Sequence, residues 1–352
     1  MGMTSKSTSR PIGVIGAGSF GAAVTNLLSH NSDVLIYARR QEVVDQINET
    51  HKLGNHDLNK RVRAVSDMEY LADQCRVIFP VVPSSNFRRM IKDLSPYLYP
   101  YHMLIHGTKG LDLNLPEGKK LEDIETLERE CVQTMSEVIR DETMVVRIGC
   151  MAGPNLAKEL ADDQPAATVV ASHFREVIHE GQRLLRNDRF QVYGSTDLIG
   201  VELCGVLKNI IAIASGAVSG MGLGENARSL LISRGMVEMI YLGRAFGGNT
   251  QAFIGLAGVG DLVATCTSNL SRNFTVGYRL AQGESLEDVL SNMRETAEGI
   301  QTVRTVKKLI DSIGMRAPIT ETLHKVLFEG LTVREALQYL MKYPFNVDID
   351  FL

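Results

Sequence analysis

Hydrophobic and polar positions along the chain show two textures, and they change over near Gly194. Up to that point short apolar runs alternate with mixed stretches. Residues 12–15 form the first run, followed by Gly16-Ala17-Gly18-Ser19-Phe20-Gly21 and by residues 22–28, which predict a helix. Residues 34–37 predict a second strand. Strand, glycine turn, helix and strand at this short spacing read as a βαβ unit with parallel strands. Residues 77–82, 102–106, 144–149, 167–171 and 190–193 continue the series. Pro80 lies inside one of these runs, and its missing N–H predicts an edge position or a bulge.

Beyond Gly194 the strand signals stop and helical periodicity continues to about Met341. Residues 197–219 are rich in Gly, Ala, Ile and Val, which predicts a helix buried on all sides. Thr332-Val333-Arg334-Glu335 has the spacing of a capping box. Residues 343–352 have no clear pattern.

Composition sharpens this picture. With 352 residues, 44% hydrophobic and 22% charged, the chain is globular in type and has room for two domains of about 150 residues. A net charge of -4 speaks against non-specific nucleic-acid binding, which needs a basic footprint. Five scattered cysteines include no C-x-x-C pair, so a zinc or redox motif is not expected, and a reducing, cytoplasmic setting is. No apolar run approaches the roughly 20 residues of a bilayer span, so membrane insertion is not expected either. Residues 1–10 lack a signal-peptide core and read as a disordered tail; Lys6 stands where a myristoylation pattern wants Ser or Thr.

The glycine turn carries the first chemistry. Gly16-x-Gly18-x-x-Gly21 follows a strand and opens a helix, the context in which this spacing binds a dinucleotide. The first glycine permits the turn, the second admits pyrophosphate, and the third lets helix and strand pack closely. The end of the second strand reads Tyr37-Ala38-Arg39-Arg40 and lacks the acid that usually holds an NAD ribose. Arginine there suits a 2′-phosphate, so NADPH is the expected cofactor, with NADH possible. The expected fold is α/β: a tail over 1–10, a Rossmann-type doubly wound domain over 11–194, and an all-helical substrate-binding and catalytic domain over 195–352.

Polar residues in apolar surroundings carry the second chemistry. Lys208 lies in the most apolar helix and must face a cleft or meet an acid. Glu202, six residues earlier, is not on the same helical face. Burial lowers a lysine pKa towards acid–base use. Asp261 ends the glycine-rich Gly255–Gly260 stretch and reads either as a site wall or as a helix cap. Ser271, Arg272 and Asn273 offer hydroxyl, guanidinium and amide donors to one anion. Gly107-Thr108-Lys109-Gly110 and the segment from Gly153 to Glu159 follow strand ends, where a doubly wound sheet places its ligands, although each could be a plain turn. His102 and His106 have helical ligand spacing but lie in a strand, so no metal is expected.

Taken together these pieces resemble the bacterial NAD(P)-dependent glycerol-3-phosphate dehydrogenase family from about Pro11 to Met341. In order they are GAGSFG from Gly16, VPS from Val82, TKGL from Thr108, GPNLAKE from Gly153, GVLKN from Gly205, SRG from Ser233, GLAGVGDL from Gly255, TCTSNLSRN from Thr265 and AEG from Ala297. The resemblance implies interconversion of dihydroxyacetone phosphate and sn-glycerol 3-phosphate, which feeds phospholipid synthesis. It implies Lys208 as catalytic acid/base. It implies substrate contacts at Lys109, Gly153, Asn155, Lys208, Asp261, Ser271, Arg272 and Asn273. Cofactor contacts are implied at Ser19, Phe20, Arg39, Lys109, Ala157, Arg272, Thr296 and Glu298, beside Gly16, Gly18 and Gly21. A homodimer is expected. Phe20 stands where Trp or Tyr is frequent, Pro80 departs before the VPS turn, and the tail beyond Tyr343 has no counterpart. Two other readings stay open: a 6-phosphogluconate-type dehydrogenase, and an NADPH sensor without catalysis.

Overall fold

In the computed structural model, residues 10–293 and 297–343 are described. Eight strands form one sheet: β1 (Ile12–Ile15), β2 (Val34–Tyr37), β3 (Val62–Val65), β4 (Val77–Pro80), β5 (Met103–His106), β6 (Arg147–Ala152), β7 (Ala166–Ala171) and β8 (Phe190–Ser195). Their order is β8-β7-β6-β5-β4-β1-β2-β3. The run from β3 to β6 is the doubly wound 3-2-1-4-5-6 order. Pairing is parallel throughout except between β6 and β7.

The central strands β1, β4 and β5 are buried at every position, and almost wholly apolar, because both faces are covered. Val14, Ile36, Phe79 and Ile105 point into one core, and Ile15, Leu35, Ile78 and Leu104 into the other. Helix α1 (Ser19–Ser29) contributes Val24 and Leu28 to the first. Helices α2 (Ser84–Leu94) and α3 (Met135–Glu142) contribute Phe87, Ile91 and Ile139 to the second.

Three local expectations are corrected. Pro80 is neither on an edge strand nor in a bulge: it closes β4, between β1 and β5 in mid-sheet. The β4–β5 ladder stops at Ile78↔Leu104, short of the proline. Only the Pro80 carbonyl is used there, accepting from Gly107 N–H at 3.0 Å. The strand expected over 144–149 runs three residues later, because Met144 and Val146 face solvent and pairing begins at Arg147↔Met103. That shift brings Gly153 directly to the strand's end. The edge strand β3 was not foreseen: alternation of buried Val62 and Ala64 with exposed Arg63 is a weak signal over four residues.

From Leu198 onward every described element is helical: α4 (Leu198–Gly220), α5 (Glu225–Ala245), a short helix Thr250–Ile254, a π-helical turn Leu256–Gly260, α6 (Asp261–Thr267), α7 (Arg272–Ala281), a short helix Leu286–Ser291, α8 (Glu298–Ile313), α9 (Pro318–Phe328) and α10 (Val333–Met341). Helix α4 is the hub and is buried on all sides, as its composition implies. Glycines let α7 lie directly on it. A Cβ at Gly216 would come within 1.9 Å of the Phe274 carbonyl oxygen, and one at Gly277 within 1.7 Å of that of Ile213. Against expectation, α4 has the length and composition to cross a membrane, but it is spent on this core. The capping box at α10 is as expected, with Glu335 N–H donating to Thr332 Oγ1 at 3.2 Å and Thr332 N–H donating to Glu335 Oε2 at 3.0 Å. Of the tail expected over residues 1–10, all but Arg10 lie outside the described residues.

Candidate active site

The strand order reverses between β1 and β4, and the glycine turn leaves β1 at that point. Gly16 has φ +138°, and a Cβ there would lie 2.6 Å from the Val81 carbonyl oxygen. A Cβ at Gly21 would lie 1.8 Å from the Gly16 carbonyl oxygen, so α1 sits directly on the turn. Gly18 differs from both: nothing lies within 4 Å of its Cβ position. It is the N-cap of α1 and brings no side chain to the first-turn amides. An open cradle at a positive helix end fits a pyrophosphate. Phe20 roofs Gly107, whose Cβ would come within 2.9 Å of the ring. Ser19 is half-buried beside it. Arg39 is exposed two residues past the end of β2, at the far side of the same crevice. Ala157 opens a five-residue helix packed against α1.

Facing this crevice, three distant segments meet at one carboxylate. Lys208 Nζ lies 2.6 Å from Asp261 Oδ1, and Lys109 Nζ lies 2.7 Å from Asp261 Oδ2. Lys208 also donates to Thr265 Oγ1 at 2.5 Å, and Thr265 donates to Asp261 Oδ1 at 3.2 Å. Lys109 donates to the Gly153 carbonyl at 3.2 Å. Lys208 and Asp261 are buried, whereas Lys109 keeps 18% of its side chain exposed. Two ammonium groups on one carboxylate leave a net positive charge in a low-dielectric wall, which draws in an anion or a developing alkoxide.

Burial pushes the Lys208 ammonium down to about 8. Asp261 opposes that fall and Lys109 adds to it. Burial works to raise the Asp261 carboxyl, but the two lysines outweigh it and hold it below its ordinary value. The cluster therefore contains an ionised acid and an ammonium poised to give up its proton.

The other expected residues are placed as follows. Asn155 is buried, donates to Thr168 Oγ1 at 2.9 Å, and leaves its Oδ1 with no partner in the protein. An orphaned acceptor at this crevice fits a ligand hydroxyl or amide. Ser271 is the N-cap of α7, its Oγ accepting from Phe274 N–H at 3.2 Å. Asn273 Oδ1 accepts from Gly299 N–H at 3.0 Å. These two acceptors hold α7 and α8 in place, and Arg272 is exposed in the first turn of α7. Glu298, at the start of α8, accepts from Ser84 N–H at 2.9 Å. Burial raises its carboxyl, with Ser84 and Arg272 pulling the other way. Thr296 lies outside the described residues. Among the described residues no cluster could hold a metal ion. Sequence reasoning missed Thr265, although its four-residue spacing from Asp261 puts both on one face of α6.

Comparison with known proteins agrees across the whole chain. Residues 11–178 match the family model for the NAD-dependent glycerol-3-phosphate dehydrogenase N-terminus, and residues 197–338 match that for the C-terminus. The chain is 38% identical over 352 residues to glycerol-3-phosphate dehydrogenase [NAD(P)+] of Acinetobacter baylyi, covering 99% of this chain and 94% of that protein. It is 39% identical over 341 residues to the Exiguobacterium enzyme of that name, covering 95% of each. The crystal structure of glycerol-3-phosphate dehydrogenase from Coxiella burnetii superposes with a TM-score of 0.83 at 32% identity, covering 95% of this chain and 99% of that one.

Proposed function

The chain belongs to the NAD-dependent glycerol-3-phosphate dehydrogenase family, and on that premise we propose how its residues divide the work. It is an NAD(P)-dependent oxidoreductase that interconverts dihydroxyacetone phosphate and sn-glycerol 3-phosphate. The 6-phosphogluconate-type and sensor readings fall away with the family. We assign residues 11–194 to the cofactor domain and residues 195–352 to the domain that supplies the proton donor.

When bound, the nicotinamide supplies the hydride that C2 of the ketone receives. The protein's own task is the charge that develops on the C2 oxygen. Lys208 holds its ammonium towards that oxygen and releases a proton to it as the carbon is reduced. In the reverse direction neutral Lys208 takes the proton from the hydroxyl. Asp261 and Thr265 each take one of the three ammonium N–H bonds and hold Lys208 in place, which leaves the third for the substrate oxygen. Lys109, held by the same carboxylate, adds positive charge beside the oxygen. Arg272 takes the remote phosphate, which orients C2. Gly16, Gly18 and Gly21 form the pyrophosphate cradle, and Asn155 Oδ1 accepts from the bound ligand. The observation that carries this reading is the sharing of one buried carboxylate by Lys208 and Lys109.

The test is direct: purified protein is mixed with NADPH and dihydroxyacetone phosphate, and loss of reduced-nicotinamide absorbance is followed. No oxidation with this ketone would overturn the assignment. We further propose NADPH over NADH, because exposed Arg39 follows β2 where a ribose-binding acid would otherwise stand. A charge-assisted bond contributes about 1.5–3 kcal/mol, or roughly one to two decades of preference. Arg39→Ala should erode that preference through KM for NADPH; an unchanged ratio of efficiencies would remove Arg39 from the site. The product is the backbone of glycerophospholipids, so the reaction supplies their synthesis. All five cysteines are unpaired thiols, which suits a cytoplasmic setting. A homodimer is our expectation for the assembly, and sedimentation at micromolar concentration checks it.

A further inference from the structure

His106 and Glu202 form a second buried polar cluster that the reaction chemistry does not use. His106 Nε2 lies 3.0 Å from Glu202 Oε1 and 3.1 Å from Ser136 Oγ. Ser136 N–H, in the first turn of α3, donates to the same Glu202 oxygen at 3.0 Å. The side chains of His106 and Glu202 are 1% and 3% exposed. Phe87 of α2 closes the remaining face of the imidazole edge-on, ring centroids 5.7 Å apart. Three elements thus converge on one carboxylate: the end of β5, the N-terminus of α3 and the second turn of α4.

Stability alone is a weak reason for this arrangement. A buried hydrogen-bonded pair of this kind is often matched or bettered by apolar residues of similar volume. Here the pair is also incompletely satisfied, since His106 Nδ1 and Glu202 Oε2 are buried without a protein partner. Its location supplies a reason. His106 precedes Lys109 by three residues, and Glu202 precedes Lys208 by six. Between them the Lys109 stem crosses α4 at Gly205, where a Cβ would stand 3.3 Å from Lys109 Cγ. Thr108 donates to the Val82 carbonyl at 2.7 Å, which ties the intervening turn to the end of β4. The bond therefore joins the two segments that deliver the two lysines to Asp261.

We propose that His106 and Glu202 are positioning residues whose buried bond sets the end of β5 against α4, and thereby places Lys109 on the Asp261 carboxylate it shares with Lys208. The proposal rests on the reading of Lys208 as the proton donor. The ionisable groups facing Lys208 are Asp261 and Cys266 of α6 and Lys109 of the turn after β5. Withdrawal of Lys109 removes a like charge, so the ammonium of Lys208 holds its proton to higher pH.

The experiment measures steady-state reduction of dihydroxyacetone phosphate from pH 6 to 10 with His106→Leu, His106→Gln, Phe87→Leu and Lys208→Ala beside the wild type. His106→Leu should lower kcat about tenfold or more while KM for NADPH stays within about twofold. Its alkaline midpoint should move up by about half a unit. His106→Gln places an amide donor where Nε2 stood and should restore both the rate and the midpoint. Phe87→Leu loosens the same packing with the hydrogen bond kept, so it should lower Tm and leave the midpoint in place. A His106→Leu enzyme with wild-type kcat and midpoint overturns the proposal, as does a Phe87→Leu enzyme showing the same shift. Should His106→Leu fail to fold, Glu202→Gln takes its place: a lowered kcat with the upward shift supports the proposal, and unchanged values overturn it. Lys208→Ala separates the two levels, because retained turnover there brings down the proton-donor reading and this proposal with it. Loss of turnover there beside an unaffected His106→Leu overturns the positioning role alone.

Discussion

Lys208 and Glu238 are both ionisable side chains sunk into the helical half, and their surroundings differ in kind. Glu238 projects from α5 to the N-terminus of α9, where its oxygens accept from Ile319 N–H at 2.8 Å, Thr320 N–H at 2.9 Å and Thr320 Oγ1 at 2.6 Å. Pro318 opens that helix without an N–H of its own, so the carboxyl serves as a cap supplied from another helix. Every partner of Glu238 is an uncharged donor. Lys208 instead meets a charged carboxylate that a second ammonium also holds. Folding has no use for two like charges converging on one buried acid. A buried carboxyl saturated by uncharged donors marks architecture, and a buried ammonium opposed by a like charge across a shared partner marks chemistry.

The largest expected effect lies on the chemical side of this contrast. Lys208→Ala should cut kcat for dihydroxyacetone phosphate reduction by about 10²–10⁴, the range for losing a general acid. NADPH binding, followed by fluorescence titration, should stay within about twofold of wild type. A loss of only a few-fold would erase the distinction between the two sites. Next in size is the architectural side. Glu238→Gln keeps the shape but replaces one acceptor with a donor facing an amide, and should destabilise the fold by roughly 1–3 kcal/mol in urea unfolding. Its kcat per folded molecule should remain that of the wild type. A Glu238→Gln enzyme that is stable but slow would show that α9 communicates with the site.

The same contrast explains what could be read from sequence. The glycine turn and the first two strands were legible because a βαβ unit is local: its turn, helix and strands run from Ile12 to Tyr37. Helix α4 was legible from composition, since a stripe-free apolar segment has only an interior to occupy. Lys208 stood out as a polar exception in that segment, but its partner did not. Asp261 lies 53 residues away on a different helix, and only tertiary packing joins them. The same holds for Glu238 with α9, and for His106 with Glu202, 81 or more residues apart. The strand register at β6 was misjudged because Met144 and Val146 are apolar yet exposed. Pairing with β5, which periodicity does not encode, decides where that strand begins.

The finest difference lies in the sign of two pH slopes. Burial dominates both groups, raising the Glu238 carboxyl to about 7 and lowering the Lys208 ammonium to about 8. In each case the folded state favours the neutral form. For Glu238 the folded value lies above the unfolded 4.5, so the folded state binds more protons in between. Its contribution to stability is full below the unfolded value and is lost as pH rises to about 7. For Lys208 the folded value lies below the unfolded 10.5, so the unfolded state binds more protons, and stability is regained as pH rises from about 8 to 10.5. Each swing amounts to about 3 kcal/mol at most. The measurement is urea unfolding of wild type against Glu238→Gln and Lys208→Met, neither of which titrates at the altered site. The wild-type advantage over Glu238→Gln should shrink between pH 5 and 7.5, and the wild type should gain on Lys208→Met between pH 8 and 10. Parallel slopes of the same sign would mean that Asp261, rather than burial, governs Lys208, and the two sites would then differ in their partners but not in their electrostatics.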